Sequence, residues 1–325
     1  MFALTDLSSS TVPATTLSSS PGLACLAPFL SLKASGQRAT DPSLFICEAP
    51  ENLRVLLETD DITINCLVCT PKLWTETFYD LAVERMRRGG RSLPQSPPHS
   101  KKHKTEGNTS VATGTDKCTS FPFPVILLTT ASIATLAGWA NSRGCLAQGV
   151  IPARTVADLY SLLNRSVSPR LPHRILAVDK ISDTSNLGSL IRSAAAFGIT
   201  AIVLSGDSCD AWYRKSVRTS MGHVFRVPIY RTADLANFLI KLRDDCNVCS
   251  YAAMLDDTSV DVTSVRVARD YCIVVGNEGD GIREEVKSKC TSAVKIMMME
   301  GVDSLNVTIA ASIIMHDFKA RAAED

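Results

Sequence analysis

The sequence predicts an α/β protein in two parts: a C-terminal domain on a mostly parallel sheet with helices on both faces, and a smaller N-terminal α/β domain. Three observations predict this. From residue 172 onward, strand-length and helix-length segments alternate strictly. The strand segments are apolar at nearly every position, not every second one, which implies a parallel sheet buried on both faces. Ahead of them, a shorter α/β pattern is broken by a polar, basic stretch that fits neither periodicity, so it reads as a separate domain carrying an insertion.

In chain order, residues 1–26 are rich in Ser and Thr and read as a disordered tail. They lack the charged and then apolar succession of a secretory signal. Their single acid, Asp6, suits an organellar presequence, but the first basic residue is Lys33, so a plain tail is the better reading. Residues 27–152 form the N-terminal domain, with "SLFICEA" as a strand, "PENLRVLLET" as a helix, "ITINCLVCT" as a strand and "LWTETFYDLAVERM" as an amphipathic helix. Residues 87–118, with Arg87, Arg88, Arg91, Lys101, Lys102 and Lys104, read as a disordered basic insertion. The segments "FPVILLTT", "ASIATLAGWA" and "GCLAQGVI" then resume strand, helix and strand. Residues 153–171 read as a linker.

The second domain, 172–325, opens with the strand "RILAVDK", the helix "NLGSLIRSAAAFG" ended by Gly198, and the strand "TAIVLSG". A helix around Trp212–Ser220, a short strand "VFRVPIY", the helix "TADLANFLIKLRDD" and the strand "CNVCSYAAML" follow. The strand "DYCIVVG" leads into a short helix near Ile282, then the strand "SAVKIMM" and the last helix, "SLNVTIAASIIMHDFKARAA".

Composition narrows the function. The chain has 325 residues, 45% hydrophobic and 21% charged, so a packed core is expected. Net charge is only +1, which confines any basic surface to a local patch. No apolar run reaches the roughly 18 residues of a membrane span. Of the eleven cysteines, only Cys66/Cys69 and Cys246/Cys249 are closely spaced. Neither pair has further cysteines or histidines at zinc-binding spacing, so no metal is expected and reduced thiols of an intracellular protein are the better reading.

Ligands of open parallel sheets sit beyond the C-terminal ends of the strands. Three polar or Gly-rich stretches fall there. In "DKISDTSNLGSLIRSAAAFG", one of Asp183, Thr184, Ser185 and Asn186 is expected to cap a helix, but a cap does not explain Arg192 on an otherwise apolar helix. In "IVVGNEGDGIREEV", Gly276, Gly279 and Gly281 permit close backbone approach, with Asn277 and Glu278 at the mouth. Their order is not that of a dinucleotide fingerprint. In "KIMMMEGVDSLNV", Ser304 reads as a cap of the last helix, with Asn306 in its first turn.

Together these stretches resemble the SpoU (TrmH) family of RNA ribose 2′-O-methyltransferases, within the SPOUT superfamily. Asn186-Leu187-Gly188 with Arg192 stand as in that family's first motif, Gly276 to Gly281 as in its second, and Ile296 to Val307 as in its third. "SVRTSMGHVFRVPI" is similar to a further family segment. The third motif departs at Met297, usually proline, and at Glu300, usually glycine. A glutamate there is expected to crowd the cofactor loop or weaken binding. The N-terminal domain resembles, more loosely, the L30e-like RNA substrate-binding module.

The resemblance implies a SPOUT trefoil-knot domain binding S-adenosyl-L-methionine. Leu255, Gly276, Asn277, Gly281, Ile296, Met298 and Leu305 would line the cofactor pocket. Arg192, Asn186, Glu278, Ser304 and Asn306 would be catalytic. An ordinary guanidinium titrates too high to act as a base, so Arg192 either works in a perturbed environment or clamps the RNA phosphate while another group takes the proton. Arg174, Lys180, Arg214, Lys215 and Arg218 are candidates for phosphate contacts with tRNA or rRNA. The resemblance also implies a homodimer through the C-terminal domain. A cytoplasmic location is expected, with a mitochondrion or other RNA-containing organelle as the alternative.

Two competitors are set against this reading, the second the more serious. A Rossmann oxidoreductase would need a Gly-rich turn after the first strand, where "DKISDTSN" stands. A non-catalytic RNA-binding or ribosome-assembly protein on the same fold would be expected to lose Arg192, Glu278 or Asn306 first, and all three are present.

Overall fold

The computed structural model describes residues 26, 29, 41–90, 121–138, 143–164, 172–302 and 304–322. Residues 1–25 of the tail, and the insertion after residue 90, lie outside the described residues. The chain divides into two compact units, Met1–Ile151 and Pro152–Asp325.

In the first unit, β1 (Leu44–Glu48), β2 (Ile64–Cys69), β3 (Val125–Leu127) and β4 (Cys145–Val150) form a sheet in the order β1-β4-β2-β3. The β1–β4 and β2–β4 pairs are antiparallel and β2–β3 is parallel. Helix α1 (Pro50–Glu58) starts on a proline, whose fixed φ and missing N–H suit a first turn. Helix α2 (Tyr79–Arg88) is entered through a π-helical segment, Trp74–Phe78, and reaches into the first residues assigned to the insertion. Helix α3 (Thr130–Ala137) ends on Gly138, whose φ of 79° lies in the left-handed region. The sheet face carrying Ile46, Cys66, Val68 and Leu146 packs against Ile133 and Leu136 of α3. Cys66 therefore sits in a dry core, and burial pushes the Cys69 thiol far above its usual range.

The second unit opens with helix α4 (Val156–Leu163), begun by a capping box in which Thr155 and Asp158 bond each other's backbone. The linker expected over 153–171 thus contains a helix at Val156–Leu163. Leu159 and Leu163 pack into the second unit's core with Phe238 and Leu239, so this helix belongs to that unit. The sheet contains β5 (Arg174–Val178), β6 (Ala201–Ser205), β7 (Ile229–Thr232), β8 (Cys249–Ala253), β9 (Val260–Asp261), β10 (Tyr271–Val275) and β11 (Ser292–Lys295). Their order is β7-β6-β5-β10-β8-β11-β9, and every pairing is parallel. β5, β6 and β10 are buried almost throughout, as their unbroken apolar runs require.

The helices of this unit are α5 (Thr184–Phe197), α6 (Arg214–Thr219), α7 (Leu235–Cys246), α8 (Glu284–Lys287) and α9 (Val307–Arg321). The strand expected over "VFRVPIY" is instead a 3-10 turn at His223–Phe225 followed by β7. Asp183 is the cap of α5: its carboxylate accepts from the backbone N–H of Ser185 and Asn186 at 2.7 and 2.8 Å. Gly188 lets α6 lie against α5, because a Cβ there would stand 1.8 Å from Thr219 Oγ1 and 2.6 Å from the Ser216 carbonyl. β5 goes out to β6 and β7 on one side, and the chain returns to the other side as β8. β10 then inserts between β5 and β8. That is the topological switch point, where an open parallel sheet leaves a crevice.

Candidate active site at the switch point

Loops from the C-terminal ends of β8, β10 and β11 meet the first turns of α9 around a pocket of about 290 Å³. Its apolar walls come from Val275, Val294, Ile296, Met298, Leu305 and Ile314, and its polar groups include Glu278, Ser304 and Asn306. A small apolar cavity with a few convergent polar groups has the make-up of a small-molecule site.

The β10 loop is shaped by glycine. At Gly276 a Cβ would lie 2.2 Å from the Gly281 carbonyl carbon, so any side chain would force the loop open. Asn277 and Gly281 exchange two backbone hydrogen bonds of 2.9 and 3.1 Å, and Gly281 has a φ of 71°. The Asn277 side chain fastens the turn: its Nδ2 donates to the Lys180 carbonyl at 2.8 Å, and its Oδ1 accepts from the Gly279 N–H at 2.8 Å.

Beside the pocket, one hydrogen-bonded chain links all three predicted motifs. Asn186 Nδ2 donates to Glu278 Oε1 at 2.9 Å, and Asn306 Nδ2 donates to Asn186 Oδ1 at 3.1 Å. Glu278 also accepts from Ser182 Oγ at 3.1 Å and from the Asp183 N–H at 3.3 Å. Burial alone would raise the carboxyl pKa of Glu278, but the bonds from Asn186 and Ser182, with its own backbone N–H, bring it below the usual range. Glu278 is therefore an ionised acceptor at neutral pH. Asn306 caps α9, its Oδ1 accepting from the Thr308 N–H at 2.9 Å. The cap is thus Asn306 and not Ser304. Ser304 lies ahead of the helix on the pocket wall, with no hydrogen bond among the described residues.

Leu255, Gly276, Asn277, Gly281, Ile296, Met298 and Leu305 all line the pocket. Arg192 does not. It is exposed on α5, six residues beyond Asn186, and makes no hydrogen bond or ion pair among the described residues. Its guanidinium acts electrostatically on His223, whose imidazole is held below its usual range by burial first and then by Arg226 and Arg192.

Glu300 lies in a turn ahead of α9. Its side chain is exposed and outside the pocket lining, and the left-handed turn is made by the next residue, Gly301, with a φ of 82°.

Of the basic residues, Lys180 stands at the mouth with Nζ 3.3 Å from Asp280, and Lys215 Nζ is 3.7 Å from Asp183. Arg214 and Arg218 lie on α6, which packs on α5. Arg174 is the exception. It starts β5 opposite Tyr271, at the strand end away from the site, because a parallel strand puts its first residue at the far edge. It lies remote from the pocket. Sequence reasoning missed Asp179 and Arg283, a carboxylate and a guanidinium bonded across 104 positions of chain beneath the β10 loop; no local pattern links them.

Residues 173–316 match the sequence model of the SpoU rRNA Methylase family. A putative TrmH family tRNA/rRNA methyltransferase of Staphylococcus aureus is 29% identical over 161 residues, 50% of this chain and 64% of the relative. The 23S rRNA (guanosine-2′-O-)-methyltransferase RlmB of Xanthomonas campestris is 32% identical over 143 residues, 44% of this chain and 57% of the relative. The matched segment thus spans less than two thirds of either relative. The SpoU methyltransferase AviRb from Streptomyces viridochromogenes, solved with the cofactor AdoMet, shares the fold, with a TM-score of 0.65 at 18% identity, over 91% of this chain and 97% of AviRb.

Proposed function

We propose that this chain, whose residues 173–316 belong to the SpoU rRNA methylase family, transfers the methyl group of S-adenosylmethionine to a ribose 2′-hydroxyl of RNA. The observation that carries the reading is the chain Glu278–Asn186–Asn306 at the mouth of an apolar pocket that three strand ends build. The residues present fit the cofactor. A cavity of about 290 Å³ is at the lower end for small-molecule sites. Its aliphatic and thioether walls suit an adenine face and a sulfonium group. Leu255, Gly276, Asn277, Gly281, Ile296, Met298 and Leu305 would hold it. When bound, the cofactor supplies an electrophilic methyl group.

The protein's own task is to hold the ribose oxygen in line and to manage its proton. Glu278, ionised and saturated with donors, fixes Asn186, and Asn186 in turn fixes the Asn306 amide. Ser304 lines the pocket, with its hydrogen-bonding capacity unspent on described residues. Holding the ribose in a near-attack geometry accounts for much of the rate enhancement such a site can give. Arg192 is best used across a dimer interface, clamping the RNA phosphate of a second copy's site through two parallel N–H bonds. The C-terminal unit supports dimer formation by its exposed apolar surface, with Met299 82% and Ile309 53% accessible beside the pocket.

The RNA is proposed to be a tRNA or an rRNA. Lys180, Arg214, Lys215 and Arg218 would contact its phosphates, with the N-terminal unit as an L30e-like RNA-binding module. The trefoil knot and an intracellular location are part of the same proposal. No helix among the described residues is long and apolar enough to cross a membrane. The test is transfer of a labelled methyl group from S-adenosylmethionine to total RNA. Arg192→Ala is expected to abolish transfer while S-adenosylhomocysteine binding stays near wild type. RNA binding by the wild type without any transfer would instead favour the non-catalytic RNA-binding reading.

A further inference from the structure

The β10 loop forms one wall of the pocket, yet the group that ties it to the sheet lies outside the pocket. Asp179 follows β5 directly and has no exposed surface, its N–H donating to the Val275 carbonyl at 2.8 Å. Arg283 follows the loop by two residues and grips that carboxylate through its backbone N–H, Nε and Nη2. Its backbone N–H donates to Oδ2 at 2.9 Å, Nε to Oδ1 at 3.0 Å and Nη2 to Oδ1 at 2.5 Å. The remaining nitrogen, Nη1, stands 3.4 Å from Asp207 Oδ2, and Asp207 accepts from Ser205 Oγ at 2.7 Å. One guanidinium thus gathers the ends of β5, β6 and β10.

We propose that Arg283, clamped on Asp179, is a positioning residue that holds the Gly276–Gly281 wall in the shape that binds the cofactor. The inference rests on the reading that the pocket takes S-adenosylmethionine. Three physical arguments support it. A planar fork on a buried carboxylate fixes direction as well as distance, which a lysine cannot do. A buried ion pair adds little net stability over well-packed apolar groups, so its geometric effect outweighs its energetic one. The loop has no slack to absorb a shift, because Gly276 and Gly281 already touch.

The probe is S-adenosylhomocysteine, titrated calorimetrically into the full chain, with thermal melting measured in parallel. The double variant Asp179→Asn with Arg283→Leu removes both charges, so no buried carboxylate is left unpaired. It is expected to melt near wild type and to bind about tenfold more weakly or worse. Arg283→Lys keeps the charge and loses the fork; several-fold weaker binding with an unchanged melting temperature is expected. It decides the matter if the double variant does not fold. Wild-type affinity in the folded variant overturns the inference and leaves only a structural ion pair. Failure of the wild type to bind the probe overturns the cofactor reading and the inference with it.

Discussion

Lys180 shows how a single residue can be strained for a purpose. Its φ of 54° lies in the left-handed region, which costs a residue with a Cβ about 1–2 kcal/mol. The surroundings impose it: the Lys180 N–H donates to Ser205 Oγ at 2.8 Å, and its carbonyl accepts from Asn277 Nδ2 at 2.8 Å. Glycine would take this conformation freely, and the Nζ–Asp280 pair that it forfeits is exposed and weak. After the entropy cost of glycine in the unfolded chain, of order 0.5–1 kcal/mol, Lys180→Gly should stabilise the second unit by about 0.5 kcal/mol. It should also weaken RNA binding and make it less salt-dependent, since one phosphate contact is lost. Urea melts and RNA titrations at two salt concentrations check both. A destabilised variant would refute the strain argument, and unchanged RNA affinity would remove Lys180 from the interface.

At the scale of the element, α5 carries the site because its first turn is tightly specified. Asp183 caps it, and its carboxyl pKa is held below the usual range, chiefly by the Asn186 N–H against the opposing effect of burial, with Ser185 and Lys215 adding to the lowering. A depressed carboxyl contributes stability in full above its unfolded value, near 3.9, and loses it as pH falls through the folded value. Asp183→Asn keeps the cap but not the charge. It should cost about 0.5 kcal/mol at pH 7, as charges at helix ends typically do, and the gap should close at the lowest pH at which both proteins stay folded. A gap that stays constant down to that pH would mean that the charge is not its source. The elements themselves were largely legible in the sequence, since unbroken apolar runs and Gly198 mark strand and helix ends by local physics. What escaped depends on distance along the chain. Helix α4 was hidden in a polar stretch because its burial comes from α7. The Asp179–Arg283 pair joins two strand ends through space, which no local pattern marks.

For the whole molecule, α9 poses the main question. Ala311, Ile314, Met315 and Phe318 are buried on one side, while Ile309 and Ile313 are exposed on another. A helix apolar on both sides expects a partner on both, and the inner partner is already supplied by α5 and the sheet. Met297, Met299, Val302 and Leu305 add exposed apolar side chains just ahead of α9, and in the proposed dimer a second copy seated there supplies its own Arg192 to the site. Two defective proteins can test this. In a two-fold dimer of Arg192→Ala with Asn306→Ala, an arginine acting across the interface leaves one site intact, holding Asn306 from one copy and Arg192 from the other. Random mixing should then restore about a quarter of wild-type methyl transfer from two inactive parents. An arginine acting within its own chain would leave a defect in every site, and the mixture would stay inactive. Ile309→Asp with Ile313→Asp provides the complementary measurement. These exposed positions should tolerate the charge without unfolding the chain. The variant should sediment as a monomer, bind cofactor within its own pocket, and fail to transfer the methyl group for want of the second copy's arginine.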